Sequence, residues 1–253
     1  MFFLFRRIRS ALINKNKVWK YLAYAIGEIF LVVIGIYIAI QFNNWNEGKR
    51  NQRLIQTNIG ILIENLQKDS ISMAKSIEII TGRIASNELI KKRLNQASAN
   101  LDTLVKIVRF EFSPKIHGVT FANDDAYQAM NQLGEINLME KHLRQDVFGL
   151  YSRHDELLAF YRPKLEKYIE TLMDFHSKYG LQETSTFKEG PIAEAKWKKA
   201  TMNDLAQAFD PLMLTKMSLY NLGLPRIERI YVETQEVLNK LRKAQNHQFL
   251  PQD

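Results

Sequence analysis

A catalytic or metal centre needs titratable side chains that converge, and the histidines of this 253-residue chain do not. They are His117, His142, His154, His176 and His247. None sets up His-Glu-x-x-His or another close ligand spacing. His154, Asp155 and Glu156 form the densest cluster, but consecutive residues on a helix point in different directions and share no ion. The chain has no cysteine, which removes thiolate nucleophiles, disulfides and Cys-ligated zinc together. It carries no Gly-rich phosphate loop and no Gly-x-Ser-x-Gly elbow. Lys188-Glu189-Gly190-Pro191 reads as a turn, and Asp124 and Asp125 read as helix caps. Tyr151, Tyr161, Tyr168 and Tyr179 share one helical pattern and read mostly as core; the lesser alternative is that they line a ligand cavity. The expectation is therefore no catalytic residue, no cofactor, no metal and no enzyme.

One carboxylate stands out by its setting. Glu28 is the single charge in Tyr21–Phe42, a 22-residue run that is apolar on all faces. Such a run reaches about 33 Å as a helix, enough for a hydrocarbon core of about 30 Å. It is longer than the core of a signal peptide, and Gln41-Phe42-Asn43-Asn44-Trp45 offers no small-x-small cleavage site. The reading is an uncleaved signal anchor. An intramembrane carboxylate costs about 2–3 kcal/mol on insertion scales. Glu28 is thus either protonated or snorkelling towards Lys20 or Lys17, or it is an ion site or helix contact. Gly27 and Gly35, eight apart on one face, leave room for close helix packing.

The flanks set an orientation. Of the 35 bases, six precede residue 21 with no acid among them: Arg6, Arg7, Arg9, Lys15, Lys17 and Lys20. That leaves 29 bases against 27 acids, close to balance. A nucleic-acid binder spreads its excess charge over a folded face, so no nucleic acid is expected as partner. The basic side stays cytoplasmic, which places residues 1–20 inside and residues 43–253 outside. Asn43, Asn44 and Trp45 then sit at the outer interface, with Tyr21 and Tyr24 at the inner one. Phe2, Phe3, Phe5 and Ile8, interleaved with the arginines, suit either a short amphipathic segment on the inner leaflet or a frayed tail.

Helical periodicity dominates beyond residue 47. Ile55, Ile59, Leu62, Leu66, Ser70, Met73, Ile77, Ile80 and Ile84 form the first stripe. No proline precedes Pro114, so the apolar helix is expected to run on to about Gln96, with Gly48 as the place for a bend. A second stripe runs from Leu143 through Val147, Leu150, His154, Leu157, Tyr161, Leu165, Tyr168, Leu172 and Phe175 to Tyr179; Pro163 is expected to kink or split it and Gly180 to stop it. A third runs from Pro211 to about Ala244, capped by Asp210 and interrupted by Gly223 and Pro225. Short helices are expected at 101–110, from Asn123 to near Gly134, and around Trp197 and Leu205, with a loop at 113–123. The fold class is all-α: one N-terminal transmembrane helix continuing into a long antiparallel extracytoplasmic bundle of three to four main helices.

Two stretches resemble a known family. Tyr24-Ala-Ile-Gly-Glu-Ile-Phe-Leu-Val-Val-Ile-Gly-Ile-Tyr-Ile-Ala-Ile-Gln-Phe-Asn-Asn-Trp-Asn-Glu47 is similar to the N-terminal signature of bacterial single-pass proteins grouped as domain of unknown function 6090. Tyr127-Gln-Ala-Met-Asn-Gln-Leu-Gly-Glu-Ile-Asn-Leu-Met139, followed by Leu143 and Leu150-Tyr151, resembles that family's second block. The resemblance implies a bacterial inner-membrane protein with an extracytoplasmic helical domain, and implies no activity. The leading functional expectation is a membrane-anchored helical interaction or scaffold protein of the envelope. Its partners would be the lipid bilayer and another membrane or envelope protein, or a second copy. The alternatives are a sensor-like ligand-binding bundle and an accessory subunit of an ion-coupled complex using Glu28.

Overall fold

The computed structural model describes residues 18–118, 123–181, 183, 185, 186 and 188–247. Arg6, Arg7, Arg9, Lys15 and Lys17 lie outside these, as does the side chain of Lys20. Every regular element among the described residues is helical. Three are long: α1 (Val18–Leu94), α4 (Lys141–Lys178) and α6 (Met202–His247). Three are short: α2 (Leu101–Lys106), α3 (Asp125–Gln132) and α5 (Pro191–Trp197). A π-helical turn, Ile107–Glu111, follows α2, and a 3-10 turn, Glu135–Leu138, follows α3.

The chain divides into two compact units, Met1–Gln56 and Thr57–Asp253. The first, as far as it is described, is the apolar part of α1, where Ile29, Phe30 and Leu31 are 64%, 64% and 71% exposed. α1 is the one described helix long and apolar enough to cross a membrane. It continues through Gly48 without a break.

The second unit is a helical bundle whose register can be read from its cross-links. Gln235 of α6 donates to Ser70 of α1, and Gln245 packs against Gly60, so these two helices run antiparallel. α4 and α6 are also antiparallel: Lys240 pairs with Asp146 at 2.7 Å, Arg153 pairs with Glu233, and Tyr161 lies on Gly223. Leu62, Leu66 and Ile80 of α1, Val147 and Leu150 of α4, and Leu219, Ile227 and Leu241 of α6 are fully enclosed. A further cluster gathers Ile107, Val108, Phe112, Phe175, Tyr179, Trp197, Leu205 and Phe209, with Phe112 edge-on to Phe209 at 5.0 Å.

Several expected boundaries move. Pro163 does not split α4, and Pro211, Gly223 and Pro225 do not start or interrupt α6. Each proline lies on an exposed face, as does the residue four before it, so water can take the carbonyl that proline leaves unbonded. Beside Pro225, the Arg226 guanidinium also donates to the Leu222 carbonyl at 2.5 Å. Asp210 therefore lies inside a helix and caps nothing. The start is at Thr201, whose hydroxyl accepts from the Asp204 N–H at 3.2 Å and donates to the Asp204 carboxylate at 2.7 Å. This start also takes in Leu205, expected in a separate short helix.

α4 ends at Lys178 with Tyr179 extended, so Gly180 is not a left-handed stop. The left-handed glycine of the expected short-helix turn is Gly134, at φ 71°. Asp124 occupies the N-cap position of α3 but makes no side-chain cap bond; its carboxylate accepts from Gln128 at 3.2 Å. On α1 the buried line passes through Ser76 and Asn87 rather than Ile77 and Ile84, and on α4 Leu165 turns outward.

Gly223 has a packing reason. A β-carbon there would stand 2.0 Å from the Tyr161 hydroxyl oxygen. Alanine favours a helix interior over glycine by about 1 kcal/mol, whereas overpacking costs about 1–3 kcal/mol. Gly223→Ala is expected to lower unfolding stability by up to about 2 kcal/mol in urea titrations, the clash outweighing propensity. The loss should shrink in a Tyr161→Ala background; an equal loss there would deny that this contact is the cause.

Candidate functional site

The polar core of the bundle is organised around one segment that is not helical. Residues 112–118 and 123–124 form a strap that runs back along α1 between α4 and α6. Its unpaired backbone groups must find partners, because a buried amide without one costs about 1–3 kcal/mol. All three long helices supply them. Lys216 donates to the Ser113 carbonyl, and the Tyr168 hydroxyl donates to the Pro114 carbonyl at 2.6 Å. The His117 N–H donates to the Tyr220 hydroxyl at 2.9 Å, and the His117 ring meets Ser76 at 3.2 Å. Asp69 accepts the Asn123 N–H at 3.0 Å and its side-chain amide, while the Tyr151 hydroxyl donates to the Asn123 carbonyl at 3.3 Å.

These environments shift titration in directions their surroundings explain. Burial raises the Asp69 carboxyl above its usual value, while the Asn123 donors pull it back. Burial raises the hydroxyls of Tyr151 and Tyr168. Lys216 is 1% exposed. Burial pushes its ammonium down to about 8, the Arg83 charge pushes the same way, and Glu183 opposes. Its ammonium also lies 4.5 Å from the centre of the Phe112 ring. His154 packs edge-on to Tyr151 at 5.7 Å, and Tyr151 stacks on Tyr127 at 4.2 Å. Neither His154 ring nitrogen has a partner among the described residues, and burial lowers its pKa.

The arrangement uses its acid, lysine and tyrosines to hold backbone. Among the described residues no group of three or more His, Cys, Asp or Glu is placed to hold a metal ion. Of the tyrosines read as mostly core, Tyr151, Tyr168 and Tyr179 are buried and Tyr161 is half-buried, and Tyr151 and Tyr168 bond the strap. Sequence reading missed Lys216, Ser76 and Asn87. Their signal was phase: Lys216 lies three after Met213 and four before Tyr220, both buried.

Glu28, Gly27 and Gly35 lie on the exposed apolar part of α1, and a β-carbon on either glycine would meet nothing within 4 Å. Asn43, Asn44 and Trp45 are exposed as well. Trp45 is flanked by Phe42, 5.8 Å between ring centres, and by the Lys49 ammonium, 3.8 Å from its ring. Among the surface depressions that the described residues form elsewhere are two bordered by basic side chains. One, of about 600 Å³, is bordered by Lys178, Tyr179, Lys196, Lys199, Asp204 and Gln207. The other, of about 130 Å³, is bordered by Arg153, Glu156, Arg226 and Arg229.

Lys216 gives the bundle a pH signature. Between pH about 8 and 10.5 the unfolded chain keeps this proton and the folded chain does not. Stability relative to Lys216→Met is therefore expected to rise with pH across that window, by up to about 1.4 kcal/mol per unit. Urea midpoints of the two proteins at matched pH measure this, and a constant difference would exclude a buried, depressed lysine.

No curated protein and no solved structure matches the chain. A family model described as a family of unknown function, DUF6090, matches residues 28–188. The match starts at Glu28 and takes in the strap and all of α4. The chain belongs to this family of unknown function, DUF6090.

Proposed function

We propose that this chain is a membrane-anchored, non-enzymatic interaction or scaffold protein of the bacterial envelope. In this reading residues 21–42 span the inner membrane, the N-terminus is cytoplasmic and the bundle is extracytoplasmic. The supporting observation is the first part of α1, where a helix apolar on every face is exposed from residue 26 to residue 42. Burying it in lipid removes from water a surface that a soluble protein would cover with its own core. The Phe42–Trp45–Lys49 group suits the outer headgroup level, where an aromatic ring can face lipid and an ammonium water. The strap supports a binding rather than a catalytic role, since Asp69, Tyr151, Tyr168 and Lys216 are engaged in holding backbone.

The absence of cysteine makes topology directly measurable. Single Ser10→Cys and Ser177→Cys variants are treated with a membrane-impermeant maleimide in spheroplasts. Ser177→Cys should label at once and Ser10→Cys only after lysis. The reverse pattern, or release of the protein by alkaline carbonate, would defeat the reading. Glu28→Gln separates anchoring from ion coupling. An anchor should insert as well or better, because the carboxylate costs about 2–3 kcal/mol within the bilayer. Partner crosslinks in native membranes should also persist. Loss of those crosslinks with insertion intact would favour an ion-coupled role for Glu28.

A further inference from the structure

The larger depression lies where three elements meet. The C-terminal end of α4 contributes Lys178 and Tyr179, α5 and the turn after it contribute Ala195, Lys196 and Lys199, and the first turns of α6 contribute Asp204, Gln207 and Ala208. Its volume of about 600 Å³ falls within the range of small-molecule sites, about 300–1,000 Å³. Three ammonium groups border it against one carboxylate. None of the three is paired with a carboxylate among the described residues. Asp204 is engaged otherwise: its carboxylate accepts the Thr201 hydroxyl at 2.7 Å as part of the α6 cap. The N-terminal turns of α6 add partial positive charge and the end of α4 opposes it, so the lysines decide the sign. The same field reaches His176, whose pKa is lowered first by burial and then by Lys196.

The walls are fixed before any ligand arrives. Arg109 grips Glu194 of α5 through two bonds, at 3.2 and 2.6 Å, with the arginine side chain only 10% exposed. Trp197 of α5 packs on Tyr179 at 5.5 Å between ring centres. A preorganised wall lowers the ordering cost of binding. The smaller arginine notch differs, because Glu233 already pairs with both Arg153 and Arg229.

We propose that this lysine cleft binds a small soluble molecule carrying two or more oxyanion groups. Three unpaired cations match more than one anionic group, and the volume exceeds what a single phosphate fills. The site is independent of how the chain is anchored.

The test uses the full chain in neutral detergent, with pyrophosphate and citrate as probes in isothermal titration calorimetry. Saturable binding of at least one probe is expected, weakening as salt rises. Lys196→Gln and Lys199→Gln should each raise the dissociation constant about tenfold, with thermal midpoints unchanged because both side chains are exposed. Arg226→Gln, in the other notch, should bind as the natural chain does. Pyrophosphate binding alone assigns a phosphorylated ligand, and citrate binding alone a polycarboxylate. No saturable binding of either probe overturns the proposal. So does equal binding by the lysine variants, or equal weakening by Arg226→Gln.

Discussion

The constraint on which the bundle depends is that a non-helical strap lies within it and its peptide groups must be bonded. Helices satisfy their own backbone, so three of them could pack through apolar faces alone. Residues 112–118, 123 and 124 cannot do this, and each long helix therefore surrenders core positions to polar side chains. Asp69 and Ser76 come from α1, Tyr151 and Tyr168 from α4, and Lys216 and Tyr220 from α6. A buried lysine is tolerable here because its ammonium finds a carbonyl and an aromatic ring rather than nothing. The strap in turn lets α1 and α4 run in the same direction, each antiparallel to α6. Two long helices adjacent in sequence would otherwise join by a tight hairpin and run opposite ways.

The long helices persist where local rules would end them. Prolines at 163, 211 and 225 remove backbone donors, yet the lost bonds fall on the solvent side. The buried faces beside them, such as Tyr168, Leu212 and Ile227, are fully packed and hold each helix across its weak point. Gly223 is similar. Its missing side chain is the space that Tyr161 occupies, so a residue that weakens a helix locally admits an aromatic ring between α4 and α6.

The apolar part of α1 and the bundle obey different rules. In the bundle the 3-4 stripe faces other helices and its opposite face is charged. Between residues 21 and 42 the run is apolar on every face, and among the described residues positions 26–42 are exposed. An apolar solvent suits that pattern, and the proposed membrane reading rests on this stretch alone. The lysine cleft is a separate feature, made by the ends of α4 and α6 and by α5, and none of its cations belongs to the apolar helix or the strap.

The sequence by itself determined what depends on periodicity and on local chain chemistry. Apolar residues at three-four spacing marked all three long helices, because each side chain's direction follows from its position on a 3.6-residue turn. The all-round apolar run and the all-α class were legible for the same reason, and the helix end near Gly134 and the two family blocks were legible as strings. Only the tertiary structure decided which polar residues are core. Ser76, Asn87 and Lys216 read as surface types; Ser76 and Lys216 are buried where the strap, distant in sequence, brings the His117 ring and the Ser113 carbonyl against α1 and α6. It also decided that Pro211 is interior and that α6 begins at Thr201, since packing outweighed a local start signal. The cleft belongs to that second class. Lys196 and Lys199 are three apart but Lys178 is distant from them in sequence, and only the folding of three elements onto one another brings their charges together.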